Sequence, residues 1–103
     1  MKISILLPYK ENYSPEYPGA VSLFINSTSK ISNYNSDITV FGNTNLKKKF
    51  SQNYVNIPLN KNFLFKSQSK EYVNKFIALH DGKKVDIIEI HNRPNYVYPV
   101  KKI

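Results

Sequence analysis

Residues 3–8, ISILLP, decide the fold class. Isoleucine and leucine occupy both faces of this short stretch, and Pro8 ends it. A strand that is apolar on both faces is typical of a parallel sheet that is covered by helices on both sides. The sequence therefore predicts that the chain starts with a buried parallel strand.

Downstream of this strand, helical and strand patterns alternate. The sequence predicts a first helix over residues 19–33, strands over residues 38–41 and 54–57, a second helix ended by Gly82, and a fourth strand over residues 85–90. Residues 45–50 are expected to form a short helical turn, and residues 59–66 to be irregular. This order predicts an α/β domain with an open, Rossmann-like parallel sheet and right-handed crossovers.

The apolar faces of the two helices follow from their spacing. On the second helix, Ser67 or Ser69 is the expected N-cap, and the expected core-facing residues are Tyr72, Val73, Phe76, Ile77 and His80. On the first helix, Val21 and Ile25 widen an apolar stripe that is formed by Ala20, Leu23, Phe24, Thr28 and Ile31.

The end of the chain shows no helical pattern. Residues 99–103, PVKKI, follow the fourth strand without a predicted covering element. We therefore expect one face or edge of the sheet to stay exposed, and we expect residues 1–103 to be a single N-terminal domain or fragment that a second domain completes.

Composition limits the classes of function. The chain has 103 residues, enough for one domain, and its 15 basic against 7 acidic residues give a net charge of +8. It contains no cysteine, which excludes disulfides and a thiolate nucleophile, and no metal site is expected. No apolar run is long enough to cross a bilayer or to form a signal peptide, so we expect a cytoplasmic protein.

The excess of basic residues has two explanations. A basic surface attracts phosphorylated ligands, nucleic acid or anionic lipid, whereas abundant Lys and Asn also arise from the codon usage of an AT-rich genome. Arg93 is the only arginine, which argues against sequence-specific nucleic-acid recognition. Residues 47–49, KKK, predict either a solvated turn or contact with the anionic surface of a membrane.

Ligands of open parallel sheets bind beyond the carboxyl ends of the strands, and three polar segments are expected there. The loop after the first strand ends at Gly19 and Ala20, where a helix N-terminus favours an anion. The second segment is residues 42–45, GNTN. The third is residues 91–96, where His91 is a candidate proton acceptor and Arg93 a candidate clamp for phosphate or carboxylate.

Several other residues remain open to two interpretations. The loop tyrosines Tyr9, Tyr13 and Tyr17 either stack on sugars or cover the core of their own loop. His80 lies on an apolar helix face, where a histidine is usually packed and hydrogen-bonded. Gly19 either supports an anion site or merely eases the turn into the first helix.

Two of these segments resemble family 4 glycosyltransferases of the GT-B fold. Residues 1–8, MKISILLP, followed by a loop to residues 18–20, PGA, look like the opening of that family, although Ala20 stands where a second glycine is usual. Residues 85–94, VDIIEIHNRP, are similar to a strand and loop of the same family, and this match is the more specific one.

The resemblance implies the acceptor-side half of a two-domain enzyme that transfers a sugar from a nucleotide sugar to a glycan or lipid-linked acceptor. Many members retain the anomeric configuration, need no metal or other cofactor, and build lipopolysaccharide or other surface glycans at the inner face of the membrane. By resemblance, Gly19 and Ala20 would approach the donor phosphates, His91 would lie near the acceptor and the reacting centre, and Asn92 and Arg93 would shape that site. The loop tyrosine Tyr9 is a further candidate for substrate binding.

By the same resemblance, a C-terminal domain outside these 103 residues would bind the donor, so we expect the isolated chain to be inactive as a transferase. The first alternative is a stand-alone α/β module that binds a nucleotide or polyanion without catalysis. The second alternative is a degenerate gene fragment that folds poorly.

Overall fold

The computed structural model describes residues 1–51, 53–59, 68–91 and 93–101. Its strands are β1 (Ile3–Leu6), β2 (Ile38–Gly42), β3 (Tyr54–Asn56) and β4 (Ile87–Ile90). Its α-helices are α1 (Ala20–Ile31), α2 (Gln68–Leu79) and the short α3 (Val97–Val100), and single turns of 3-10 helix span Asn35–Asp37 and Pro94–Tyr96.

The four strands form one parallel sheet in the order β3-β2-β1-β4. Ile3 pairs with Ile38 of β2 on one side and with Ile87 of β4 on the other. The predicted α/β class with a parallel sheet and flanking helices is therefore confirmed. β1 is central because it is apolar on both faces, as sequence periodicity indicated.

The two faces of the sheet carry separate cores. On one face, Ile25 of α1 packs with Ile5, Leu7, Ile38 and Val40. The core on the other face joins Leu6 and Phe41 to side chains of α2, of the turn Pro94–Tyr96 and of α3, which are Tyr72, Val73, Phe76, Tyr96 and Val100. The predicted core-facing residues of α2 are confirmed.

The predicted apolar face of α1 is confirmed at Val21 and Ile25 but wrong for the stripe that they were expected to widen. The buried residues of this helix are Ser22 and Ile25, whereas Leu23, Phe24 and Ile31 are exposed, Ile31 at 84%. Apolar side chains occur on two flanks of α1, so the spacing did not determine which flank faces the sheet. A small serine on the buried flank lets the helix lie close to the strands.

Three local predictions also differ from the structure. Residues 45–50 form no helical turn, and Ser69 is not the N-cap of α2 because the helix has already begun at Gln68. The second cap candidate, Ser67, and most of the predicted irregular segment lie outside the described residues. Gly82, however, has a positive φ of 69° just beyond α2, which confirms its predicted role in ending the helix.

The expectation that no helix follows β4 is wrong as well. Pro94–Tyr96 and Val97–Val100 are helical, and Tyr96 and Val100 are buried in the core beneath α2. Proline suits the first turn of a helix, which explains how a proline-rich segment starts here. The face of β4 on the α1 side is less covered, since Ile87 is 46% exposed.

Candidate functional site

A cleft of about 720 Å³ opens at the carboxyl ends of β1, β2 and β3. Five of the described side chains that line it are amides, namely Asn12, Asn43, Asn45, Asn56 and Gln68; the others are Tyr9, Lys10, Thr44, Leu46, Pro58 and Leu59. Parallel sheets bind ligands at this edge because loops of different strands converge there. The cleft is therefore the candidate functional site.

The loops after β2 and β3 are tied together by their amides. Asn43 Nδ2 donates to the carbonyl of Ile57 at 2.8 Å, and the backbone N–H of Thr44 donates to Asn56 Oδ1 at 2.9 Å. Because a carbonyl only accepts and an N–H only donates, these bonds fix the orientation of both amides. This wall of the cleft is thus held in one geometry without help from a ligand.

The loop after β1 is joined to the same wall through Thr44. Leu46 N–H donates to Thr44 Oγ1 at 3.2 Å, and the threonine hydroxyl donates to Asn12 Oδ1 at 2.6 Å. On the opposite wall, the Tyr9 hydroxyl donates to Gln68 Oε1 of α2 at 2.6 Å. Hydrogen bonds between side chains far apart in sequence therefore define both walls.

Three tyrosines near the strand ends are wholly or partly buried and stay protonated. The Tyr72 hydroxyl donates to the carbonyl of Leu7 at 2.7 Å, at the end of β1. Tyr13 stacks on Tyr54, with ring centroids 5.5 Å apart. Burial raises the pKa of all three phenols above the ordinary value of 10.0. These phenols are structural groups and do not exchange protons near neutral pH.

Lys10 stands out in its backbone conformation. It is the only described non-glycine residue with a positive φ, 67°, and it follows Tyr9 in a turn that the Glu11 N–H closes onto the Pro8 carbonyl at 3.1 Å. Its Nζ lies 5.5 Å from the centroid of the Tyr9 ring. It is also the only charged side chain among the described residues that line the cleft.

The N-terminus of α1 already holds a carboxylate. Glu11 Oε2 accepts a hydrogen bond from the Ser22 N–H at 3.0 Å, and a Cβ at Gly19 would lie 1.7 Å from the same oxygen. The side chain of Glu11 therefore occupies the position that Gly19 and Ala20 were expected to offer to donor phosphates. The role of these two residues in donor binding stays a prediction, and it would require Glu11 to move.

His91 lies on the flank of the sheet where α1 packs. Its ring contacts Phe24 of α1, with centroids 6.2 Å apart, and its Nε2 is 3.4 Å from Glu89 Oε2. That nitrogen is buried and has no hydrogen bond of good geometry to any described residue. His91 is not among the described residues that line the cleft.

Within the described part of the third segment, Tyr96 is the residue that contacts the loop of Tyr9. Arg93 is exposed and precedes the turn Pro94–Tyr96, while Asn92 lies outside the described residues. The Tyr96 hydroxyl accepts a hydrogen bond from the Tyr9 N–H at 3.4 Å and bonds to Ser69 Oγ at 3.1 Å. Tyr96 thus links this segment to the loop that carries Tyr9 and Lys10.

Among the described residues predicted by name to bind substrate, Tyr9 lines the cleft, and Asn43, Thr44 and Asn45 of the predicted segment 42–45 line it as well. Sequence analysis named the segment 42–45 as one that would converge here, but it missed the contributions of Asn12, Asn56 and Gln68. The signal for Asn56 was its position directly at the end of β3, as Asn43 directly follows β2. Of the loop tyrosines, Tyr13 is buried in the core and Tyr17 is 74% exposed.

His80 and Ser4 form a buried pair near the opposite edge of the sheet. His80 Nε2 is 2.9 Å from Ser4 Oγ, and Nδ1 is 2.8 Å from the Phe76 carbonyl. Because the carbonyl only accepts, Nδ1 carries a proton, and in the neutral ring Nε2 accepts from the serine hydroxyl. The interpretation of His80 as a packed, hydrogen-bonded histidine is confirmed.

The lysine triplet is only partly free in solvent. Lys47 and Lys48 are exposed, whereas Lys49 Nζ donates to the Leu46 carbonyl and lies 5.6 Å from the centroid of the Tyr54 ring. Within the described parts of the chain, no helix is long and apolar enough to cross a membrane. The same residues contain no group of three His, Cys, Asp or Glu side chains that could hold a metal ion.

Comparison with known proteins yields no relative from which a function could be transferred. The chain matches no protein-family model, no curated protein and no solved structure.

Proposed function

We propose that this chain is the acceptor-binding domain of a GT-B-type glycosyltransferase, which transfers a sugar from a nucleotide sugar to a glycan or lipid-linked acceptor. The observation that carries the proposal is the cleft at the carboxyl ends of the strands. Its described lining is rich in amides and hydroxyls and contains a tyrosine. Planar amides and aromatic rings suit sugars, since they offer hydrogen bonds in fixed directions beside an apolar face.

Two further observations support an acceptor role over a donor role. The N-terminus of α1, where a donor phosphate would be expected, is already engaged by Glu11. The cleft walls are held by hydrogen bonds within the chain, which lowers the entropic cost of binding a flexible glycan. In this proposal a second domain binds the donor, and chemistry takes place between the two.

Glycan binding by the purified chain tests the proposal. We expect the chain to retain a subset of glycans on an oligosaccharide array, with binding that depends on the identity of the sugar and is not fully displaced by UDP, ADP or polyphosphate. Asn45→Ala should weaken binding because Asn45 is an exposed amide of the cleft, whereas Asn33→Ala, at an exposed asparagine that does not line it, should not.

The alternative of a polyanion-binding module predicts the opposite pattern. Affinity would then depend on net charge, fall steeply with salt and show no sugar preference. Absence of glycan binding, or complete displacement by polyphosphate, would overturn the proposed function. Sugar transfer by the pure 103-residue chain would contradict a role limited to the acceptor.

A further inference from the structure

Three of the five amides that line the cleft have their acceptor oxygens engaged within the protein. Asn56 Oδ1 accepts from the Thr44 N–H at 2.9 Å and from the Tyr54 hydroxyl at 3.0 Å, which uses both of its lone pairs. Asn56 is exposed and lines the cleft. The group that Asn56 can offer to a ligand is therefore its NH₂, a hydrogen-bond donor.

Asn12 likewise has its amide oxygen engaged and its NH₂ available as a donor. Thr44 Oγ1 accepts from the Leu46 N–H and donates its own proton to Asn12 Oδ1, 2.6 Å away. With its oxygen toward Thr44, the Asn12 amide keeps its NH₂ as the donating group. Gln68 Oε1, on the facing wall, accepts from the Tyr9 hydroxyl. Three amides from three segments thus present donors rather than acceptors.

Lys10 adds a positive charge to this set of donors. Its φ of 67° falls at the third position of a turn, where glycine or asparagine is the residue expected on steric grounds. A lysine in this sparsely populated backbone conformation, at the rim of a cleft, indicates a functional role for its side chain. No acidic side chain occurs among the described residues that line the cleft, so the ammonium is not neutralised within it.

We infer that the cleft selects glycans that carry an oxyanion, a carboxylate or a phosphate, which pairs with Lys10 while its oxygens accept hydrogen bonds from the amide NH₂ groups. This inference rests on the proposed function, because it specifies the acceptor of the same site. Charge-assisted hydrogen bonds are about twice as strong as neutral ones, so an anionic ligand uses this donor set better than a neutral sugar does.

An array that pairs each anionic glycan with its neutral counterpart tests this selectivity. It contains uronic-acid glycans beside the corresponding hexose glycans, and phosphorylated glycans beside their dephosphorylated forms. We expect anionic members to bind at least about tenfold more tightly, the ratio supplied by one charge-assisted hydrogen bond. The uronic-acid and phosphate arms distinguish the two sources of negative charge.

Substitutions of Lys10 connect the preference to this residue. Lys10→Asn keeps a side chain that tolerates positive φ and should abolish the preference, whereas Lys10→Arg should retain it. Lys30→Asn removes an exposed lysine that does not line the cleft, and it should leave the preference unchanged. Thermal unfolding of each variant separates loss of binding from loss of folding.

The outcomes separate this inference from the proposed function. Equal affinity for neutral and anionic glycans, or a preference that survives in Lys10→Asn, would overturn the inference and leave the acceptor role intact. If inorganic phosphate alone competes as well as a phosphorylated glycan, the sugar contributes nothing and both the inference and the acceptor role fail. If no glycan on the array binds, both the inference and the acceptor role are likewise contradicted.

Discussion

The carboxylate of Glu11 caps the first helix by accepting a hydrogen bond from the backbone N–H of Ser22, at 3.0 Å. Gly19 precedes the helix and has no side chain with which to cap it, and a Cβ at this position would collide with the same carboxylate. The absence of a side chain at Gly19 thus lets a residue of the preceding loop serve as the cap. This contact also joins the loop that carries Tyr9 and Lys10 to α1.

Loss of this cap should destabilise the fold. We expect Glu11→Ala to lower the free energy of unfolding by about 1 kcal/mol, the usual contribution of a helix cap. Glu11→Gln keeps an acceptor and should lose only the part due to charge at a helix N-terminus, about 0.3–1 kcal/mol. Urea denaturation measures both values, and Glu16→Ala, at an exposed residue of the same loop, is the control. No change in Glu11→Ala would show that the contact contributes nothing.

Two adjacent residues test the orientation of α1. Ile25 is buried against the sheet, whereas Phe24 is 57% exposed. Ile25→Ala should lower the free energy of unfolding by about 2–5 kcal/mol, because it removes packed methylene groups and leaves a cavity. Phe24→Ala should change it by no more than about 0.5 kcal/mol. If chemical denaturation shows a larger loss of unfolding free energy in Phe24→Ala than in Ile25→Ala, the helix face predicted from sequence is the buried one.

Lys10 and Gly82 form a matched pair for backbone conformation. Their φ values are 67° and 69°, and nothing lies within 4 Å of the position of a Cβ at Gly82. Lys10→Gly should raise the free energy of unfolding by about 1 kcal/mol, and Gly82→Ala should lower it by about the same amount. Differential scanning calorimetry on both variants checks the prediction. Destabilisation by Lys10→Gly would mean that the lysine side chain supports the fold.

Alkaline pH should unfold the chain through its buried tyrosines. Burial raises the pKa of Tyr72, and also that of Tyr54 and Tyr13, so the folded state keeps protons that the unfolded state releases. This contribution to stability is fully present below the unfolded pKa of about 10 and is lost as pH rises from there through the folded values. Each such group adds a slope of up to about 1.4 kcal/mol per pH unit.

Urea titrations across this pH range measure that slope. In Tyr72→Phe, the free energy of unfolding should decline less steeply with pH. Near pH 8 it should also be lower by about 1 kcal/mol, because the hydrogen bond to the Leu7 carbonyl is missing. Tyr17→Phe, at an exposed phenol, should leave the slope unchanged. A decline that is equally steep in Tyr72→Phe and in the unsubstituted chain would contradict the assignment to Tyr72.

The sequence predicts the sheet well because β1 is apolar on both faces, a pattern that few other elements share. It does not predict the buried flank of α1, where apolar residues occur on two sides and the packed residue is a small serine. The short helix after β4 was missed because Pro94 and Pro99 interrupt the helical pattern. Such errors arise where tertiary contacts, rather than local spacing, decide which residues are buried.

The candidate site was harder to predict than the fold. Its walls depend on contacts such as Asn12 with Thr44 and Tyr9 with Gln68, which are 32 and 59 residues apart. Periodicity is local and carries no information on such pairs. The general rule on the carboxyl ends of parallel strands indicated the end of the sheet where the cleft opens, but only the structure shows which side chains meet there.

Mapping of the glycan-binding site by amide chemical shifts tests the central claim most directly. The uniformly ¹⁵N-labelled chain is titrated with the glycan that binds most tightly on the array. We predict that the largest shifts occur at Lys10, Asn12, Thr44 and Asn56, around the cleft. Shifts concentrated instead at His91 and Glu89, on the flank beside α1, would contradict the assignment of the cleft as the glycan site.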